Sequence, residues 1–406
     1  MKTSKLTVFI SIICLVLVPI LAFTPSVSLA QAKTLKIGFL SNPGWSLGLG
    51  AWRYMQIIAE AINKEGGLQI GGEKYTIDLR QEDSKMQSDV ARSAVEKLVY
   101  HDKVQFIVAG VDSYVDAWLP ITEQNKVLTV AGTPQTNIYK PEFKYCFQGT
   151  VIQTQYPVTW GWFAKKYPNL KTLVTTAPDS QIGKFAAGLV KKTGETFDMK
   201  VIDTIYVPVE TTEFSSVATK IKSLNPDVFV STAIPTQKMG LIYKSLYQQG
   251  WRGQNFFPYA VPASEIATTA PKEAIEGTLG GMMGTEVDSP NPIAKKLKDG
   301  YIAKFGTWDD ADTNYITCWY LLEAGLKQAQ SVNPETVAAV ISKGIKFEGP
   351  NGPITVVARQ DQGSTRANET VQGFFIKRIE NGKAKLLETI SLDDAYAACK
   401  KFYGWK

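Results

Sequence analysis

The chain has 406 residues, with 44 Lys and Arg against 38 Asp and Glu for a formal charge of +6, and it carries four cysteines and one histidine. The lysines alternate with acids in most helical segments instead of clustering, which excludes a basic patch of the kind that holds nucleic acid. The wide separation of the cysteines excludes a metal-knuckle spacing, and an ordinary apolar content without low-complexity tracts excludes a disordered chain.

At the start, Lys2 and Lys5 precede an apolar run from Leu6 to Phe23, and Ser28-Leu29-Ala30 brings small residues just before Gln31. A charged head, an apolar middle and a small-residue exit describe a secretory signal peptide, cleaved near Ala30 and spanning residues 1–30. A membrane span is not expected, because Pro19 and Pro25 interrupt the run and no stop-transfer charges follow. Cys14 lies inside the run without the small residue that precedes a lipid-modified cysteine. The expected product is exported, soluble and free in the periplasm. Its roughly 375 residues suit two domains.

Short β-rich runs then alternate with amphipathic helical ones, the pattern of parallel sheets covered by helices. Strands are predicted at 34–40, 75–81, 104–109, 127–131, 172–176, 201–207, 227–232 and 255–259. Helices such as 51–65 and 89–99 lie between them, with apolar residues at intervals of three and four. A first block ends near Phe147-Gln148-Gly149-Thr150, and a second begins at Val158 with the same alternation. The segment Gly277 to Met283 reads as extended and glycine-rich, and helices are predicted near 294–305 and 315–330. At the end, Val371 to Ile379 and Lys385 to Ile390 flank Asn381-Gly382 as a β-hairpin. The predicted fold is α/β, two doubly wound parallel-sheet lobes joined by a three-strand hinge. Lobe 1 takes 31–149 and 282–365, and lobe 2 takes 150–281 and 366–406. Three cysteines, Cys146, Cys318 and Cys399, remain after the signal peptide, so at most one disulfide can form. Cys318 reads as a small buried hydrophobe, and the sequence leaves open whether Cys146 meets Cys399.

Several segments carry a resemblance. They are Lys36-Ile37-Gly38-Phe39-Leu40, Ala61-Ile62-Asn63-Lys64-Glu65-Gly66-Gly67-Leu68, Gln81-Glu82-Asp83-Ser84, Val108-Ala109-Gly110 and Ala131-Gly132-Thr133-Pro134. Thr212-Glu213-Phe214-Ser215-Ser216, Pro226 to Val230, Asn314-Tyr315 and Leu321 to Leu326 follow in order. Together they resemble the type I periplasmic binding proteins, in particular the leucine/isoleucine/valine-binding branch. The resemblance implies the type I fold, a small-molecule ligand held between two lobes, a membrane permease of an ABC transporter as partner, and a monomer. It implies no cofactor and no metal.

In the first lobe, glycines in the loop from Ser41 to Gly50 let backbone approach a ligand, with Trp45 as a flat apolar wall and Ser46 beside it. The resemblance places a carboxylate-holding hydroxyl at Ser113, next to Tyr114, although Ser113 also suits a helix N-cap. It places a second clamp at Gly132 and Thr133, from a backbone amide and a threonine hydroxyl. In the second lobe the chain departs from the amino-acid-binding pattern, with Ile182 in Gln181-Ile182-Gly183, Ile234 in Ala233-Ile234-Pro235, and Tyr259 and Ala260 before Val261. A buried ammonium group needs an acceptor or an anion, and these positions look apolar. The expected ligand is an amino acid or a non-amino aromatic or aliphatic acid. An α-amino group would need Asp179, Tyr259, Glu265 or Asp312 as its acceptor.

Catalysis is not expected. His101 follows a helix, where a cation suits the dipole, and no nucleophile elbow, phosphate loop or general acid with its base stands out. Gly44, Gly48 and Gly50 do not fit dinucleotide spacing. The alternative function is an exported sensor handing a small-molecule signal to a membrane receptor. A receptor ectodomain of this fold would carry a membrane span after the lobes, and none is predicted before Lys406.

Overall fold

A computed structural model describes residues 32–110, 114–150, 152–258, 263–282, 291–306 and 314–406. The signal-peptide segment, Ser113, Tyr259, Ala260 and Asp312 lie outside them. In chain order, the first stretch contains β1 (Lys33–Ser41), α1 (Ser46–Lys64), β2 (Leu68–Ile70), β3 (Glu73–Asp83), α2 (Ser88–Glu96), β4 (Phe106–Ala109), α3 (Val115–Gln124), β5 (Leu128–Ala131) and β6 (Cys146–Gln148). The second contains α4 (Gln155–Lys166), β7 (Thr172–Pro178), α5 (Gln181–Thr196), β8 (Lys200–Val207), α6 (Ser215–Leu224), β9 (Val228–Ser231), α7 (Thr236–Gln248), β10 (Gln254–Phe257), α8 (Ala263–Ile266), α9 (Lys272–Ile275) and β11 (Leu279–Met282). Then come α10 (Pro292–Phe305), α11 (Thr317–Ala329), α12 (Pro334–Ile341), β12 (Lys346–Gly349), β13 (Gly352–Ala358) and β14 (Ala367–Gln372), and finally β15 (Phe374–Glu380), β16 (Lys383–Ile390) and α13 (Leu392–Tyr403).

Two sheets result, one ordered β12-β13-β14-β6-β5-β4-β1-β3-β2 and the other β16-β15-β11-β10-β9-β7-β8. Strands β1, β3, β4, β5 and β6 pair in parallel, as do β7 to β11, while the hairpin strands at the margins are antiparallel. The central strands FIVA, LTVA and VFVS are buried along their whole length, because helices cover both faces of each sheet.

Alternate residues show this directly. Ile37, Phe39, Phe106 and Val108 enter one core with Tyr54 of α1 and Leu322 of α11, whereas Leu40, Ile107 and Ala109 enter another with Val95 of α2 and Trp118 of α3. In the second sheet Leu173, Val228 and Val230 face Phe163 and Val190, while Val174 and Phe229 face Ile221 and Met239.

The chain passes from the first sheet to the second after β6, back between β11 and α10, and over again between β14 and β15. The terminal hairpin differs from expectation at one end. Val371 and Gln372 belong to β14, pairing with β13, so the hairpin begins at Phe374 and the last crossing falls at Gly373. A Cβ at Gly373 would lie 2.5 Å from the Ile390 carbonyl oxygen, so the chain can turn there only without a side chain. Cys146, Cys318 and Cys399 are buried, and Cys146 and Cys399 sit in different cores.

Candidate functional site

Strand order reverses beside β1 and β4 in the first sheet and beside β7 and β9 in the second. At each place the following helices leave for opposite faces, α1 against α3 and α5 against α7, which opens a crevice beyond the carboxyl ends of the strands. Five of the sequence-predicted residues fall at these reversals, whereas Gly132 and Thr133 follow β5. Trp45 and Ser46 follow β1, Tyr114 follows β4, Ile182 follows β7 and Ile234 follows β9.

Trp45 is 43% exposed, whereas Trp118, Trp160 and Trp319 are fully buried. Its amide donates to the Asn42 carbonyl (3.3 Å), its carbonyl accepts from Leu49 (2.8 Å), and Ser46 opens α1 behind it. The first turn of α1 packs tightly on the strand end, where a Cβ at Gly48 would lie 1.9 Å from the Asn42 carbonyl oxygen. In the second sheet Ile182 is 47% exposed, and Phe185 on the same face is exposed beside it. Ser180 caps that helix, accepting from the Gly183 amide at 3.2 Å.

Tyr114 is half-buried at the N-cap position of α3. Gly132 is confined between the Gly110 carbonyl oxygen, Tyr315 and Thr150, and its amide donates to the Ala109 carbonyl at 2.8 Å. Thr133 is fully buried and its amide donates to Gln148 Oε1 at 3.1 Å. Gln148 Nε2 returns a bond to the Thr133 carbonyl, and the Thr133 hydroxyl accepts from the Gln135 amide (3.2 Å). The backbone amides of both Gly132 and Thr133 are thus engaged within the protein. Ile234 is 7% exposed and packs in the core with Phe229 and Met239, away from the exposed pair at Ile182 and Phe185. The residue before it, Ala233, holds φ +53°, a left-handed conformation that a side-chain-bearing residue adopts only under local constraint.

Sequence reasoning missed the hydroxyls of the second sheet. Tyr156 and Thr232 hydroxyls lie 2.9 Å apart and are buried, joining α4 to the end of β9. Thr176 and Ser231, in register on β7 and β9, are fully buried with hydroxyls that make no hydrogen bond. No local pattern announces them, since Thr176, Ser231 and Thr232 are small residues in or beside buried strands and Tyr156 lies on a helix. Of the acids considered as acceptors, Asp179 is exposed and paired with Lys184 at 3.1 Å, and Glu265 is half-buried in α8. Among the described residues, no group of three or more His, Cys, Asp or Glu could hold a metal ion.

Comparison with solved structures returns the same architecture. A leucine-binding protein from Thermotoga maritima is 22% identical with a TM-score of 0.69, over 89% of this chain and 99% of its own. A branched-chain amino acid transporter substrate-binding protein from Streptococcus pneumoniae, in complex with isoleucine, is 21% identical with a TM-score of 0.71, over 88% and 100%. An ABC transporter solute-binding protein from R. palustris, in complex with benzoate, is 20% identical with a TM-score of 0.68, over 88% and 97%. At these identities the likeness establishes the two-lobe type I fold. The family model described as periplasmic binding protein matches residues 34–382. With residues 34–382 of 406 inside that match, and both sheets wound as the type I fold requires, this chain belongs to the periplasmic binding protein family.

Proposed function

We propose that this protein is the solute-binding component of an ABC importer, closing two lobes on a small carboxylate-bearing molecule and handing it to a membrane permease. The lobes divide after residue 149, between β11 and α10, and at Gly373. Residues 1–30 export the chain to the periplasm, where it works as a monomer. Ligand held by both lobes favours the closed state through its higher affinity for that state, so no chemistry is needed.

The observation that carries this reading is the pair Trp45 and Ile182. Each is a large apolar residue left exposed at the strand-order reversal of its own sheet, where a core role is excluded by position. Ser113, Tyr259 and Ala260, which lie outside the described residues, and Thr133 complete the proposed set.

The ligand we favour lacks an α-amino group. Isoleucine and benzoate, bound by two of the structural relatives, share only a carboxylate and an apolar body. In this chain Asp179 is engaged by Lys184, and the β7 and β9 ends offer the neutral hydroxyls of Thr176, Ser231, Thr232 and Tyr156. Neutral hydroxyls do not balance a buried ammonium charge. Calorimetric titration with benzoate, 4-hydroxybenzoate, leucine and isoleucine tests this, alongside mass spectrometry of small molecules released on denaturation. Micromolar binding of leucine with no response to the aromatic acids would defeat the ligand assignment.

A further inference from the structure

A buried ionic cluster lies where the chain crosses between the sheets. Arg359, in the turn after β13, is 1% exposed and its guanidinium donates four hydrogen bonds. Nη1 reaches Glu369 Oε2 at 3.0 Å and Gln153 Oε1 at 2.9 Å, while Nε and Nη2 grip both Asp361 oxygens at 2.9 and 2.8 Å. Its guanidinium lies 4.2 Å from the Tyr403 ring centroid and 4.6 Å from that of Tyr139, whose hydroxyl donates to Glu369. Glu369 is fully buried, and its Oε1 has no hydrogen-bond partner.

The members of this cluster come from both sheets. Gln153 belongs to the first crossing. Glu369 sits on β14, in register with Gln148 of β6 in the first sheet. Tyr403 ends α13, which packs against α4 in the core of the second sheet, and Trp405 is buried in that same core. The Trp405 and Tyr403 rings stack at 5.1 Å, yet the Trp405 Nε1–H donates across to Asp361 Oδ1 at 2.8 Å. The Tyr403 hydroxyl donates to the Gln153 carbonyl (2.8 Å), and the Lys406 amide donates to Gln360 Oε1 (3.2 Å).

We propose that Arg359 and Trp405 form a hinge latch that pins residues 403–406 of the second lobe to the 359–361 turn of the first and so fixes the axis about which the lobes move. A rotation that parted these residues would break the Trp405 hydrogen bond to Asp361 and the Lys406 bond to Gln360 and lift the Tyr403 ring from the buried Arg359 guanidinium, whereas rotating about the cluster keeps all three. The latch touches no ligand; Arg359 and Trp405 are positioning residues, and their bearing on affinity rests on the two-lobe clamp proposed above.

Native-state hydrogen exchange on the ligand-free protein tests the latch. Trp405→Phe keeps a packed ring and removes only the hydrogen bond to Asp361. Exchange is expected to rise roughly tenfold at 149–154 and around Gly373, as loss of one charge-assisted bond implies, while β4 and β9 stay unchanged. Tyr403→Phe, which keeps the ring over Arg359 and removes the bond to the Gln153 carbonyl, should reproduce the local rise and serves if the first variant fails to fold. A uniform rise through both sheets, or none at the crossings, overturns the proposal. Because no ligand enters the measurement, a local rise in a protein that binds none of the tested acids would keep the latch and remove the binding reading.

Discussion

Gly48 and Gly183 are counterparts: each is the third residue of the helix that follows the leading strand of its sheet, and at each an added Cβ would lie 1.9 Å from a strand-end carbonyl oxygen, of Asn42 and of Pro178. Alanine ordinarily gains up to about 1 kcal/mol over glycine inside a helix. Here the clash is with backbone, which cannot swing aside, so overpacking wins. Gly48→Ala and Gly183→Ala are each expected to lower stability by about 2 kcal/mol, and the double variant by the sum, since the sites share no partner. Urea midpoints with unchanged slopes check this. A variant as stable as the parent would show that the turn yields freely.

The winding was legible in the sequence because parallel strands buried on both faces must read as apolar runs, as at Phe106–Ala109 and Val228–Ser231. The exposure of Trp45 was legible as well, because bulk in a strand-end loop has no core to fill, whereas Ile182 stood out only as an apolar departure from the amino-acid-binding pattern. Ile234 was not, since its burial beside Met239 depends on how α7 docks. The engagement of the Thr133 amide by Gln148 depends on strand pairing 15 residues apart. The terminal hairpin was started too early because Val371-Gln372 alternates as well in either sheet, and only pairing with β13 decides.

Trp45→Ala and Ile182→Ala should weaken binding without loosening the fold. Truncating a contact of that size costs about 2 kcal/mol for tryptophan, roughly a 30-fold rise in Kd, and about 1.4 kcal/mol, roughly tenfold, for isoleucine. Both side chains are substantially exposed, so melting temperatures should hardly move. Ile234→Ala should do the reverse, losing about 2–4 kcal/mol of stability through a core cavity. Calorimetry with 4-hydroxybenzoate and thermal melts separate the two classes. Unchanged affinity in both exposed variants would remove these residues from the site.

The thiols offer a check on the cores. Burial pushes the Cys318 and Cys399 thiols up, away from the reactive thiolate, and Cys146 is equally buried. Maleimide labelling followed by peptide mapping should find all three unmodified in native protein and all three labelled in urea. Reductant should leave the melting temperature unchanged. A disulfide-linked peptide joining Cys146 to Cys399 would contradict the separation of their cores.

The hinge holds two carboxylates, the fully buried Glu369 and the partly exposed Asp361, whose contributions to pH dependence differ in sign. Burial pushes the Glu369 carboxyl up to about 7, against the pull of the Arg359 guanidinium and the Tyr139 hydroxyl. Native protein therefore binds more protons than unfolded chain between the ordinary 4.5 and about 7, so Glu369 makes stability fall as pH rises through that window and adds no slope above it. Asp361 runs the other way. Burial raises its carboxyl, but the hydrogen bonds from Arg359 outweigh this and hold it below 3.8, so its contribution is lost only at more acidic pH. Glu369→Gln keeps the acceptor for Arg359 and cannot titrate. The difference in unfolding free energy between native and variant, followed by urea titration from pH 5 to pH 8, should drift by on the order of 3 kcal/mol in favour of the variant. A flat difference curve would mean that Glu369 stays ionised throughout, held by Arg359 more strongly than burial opposes it.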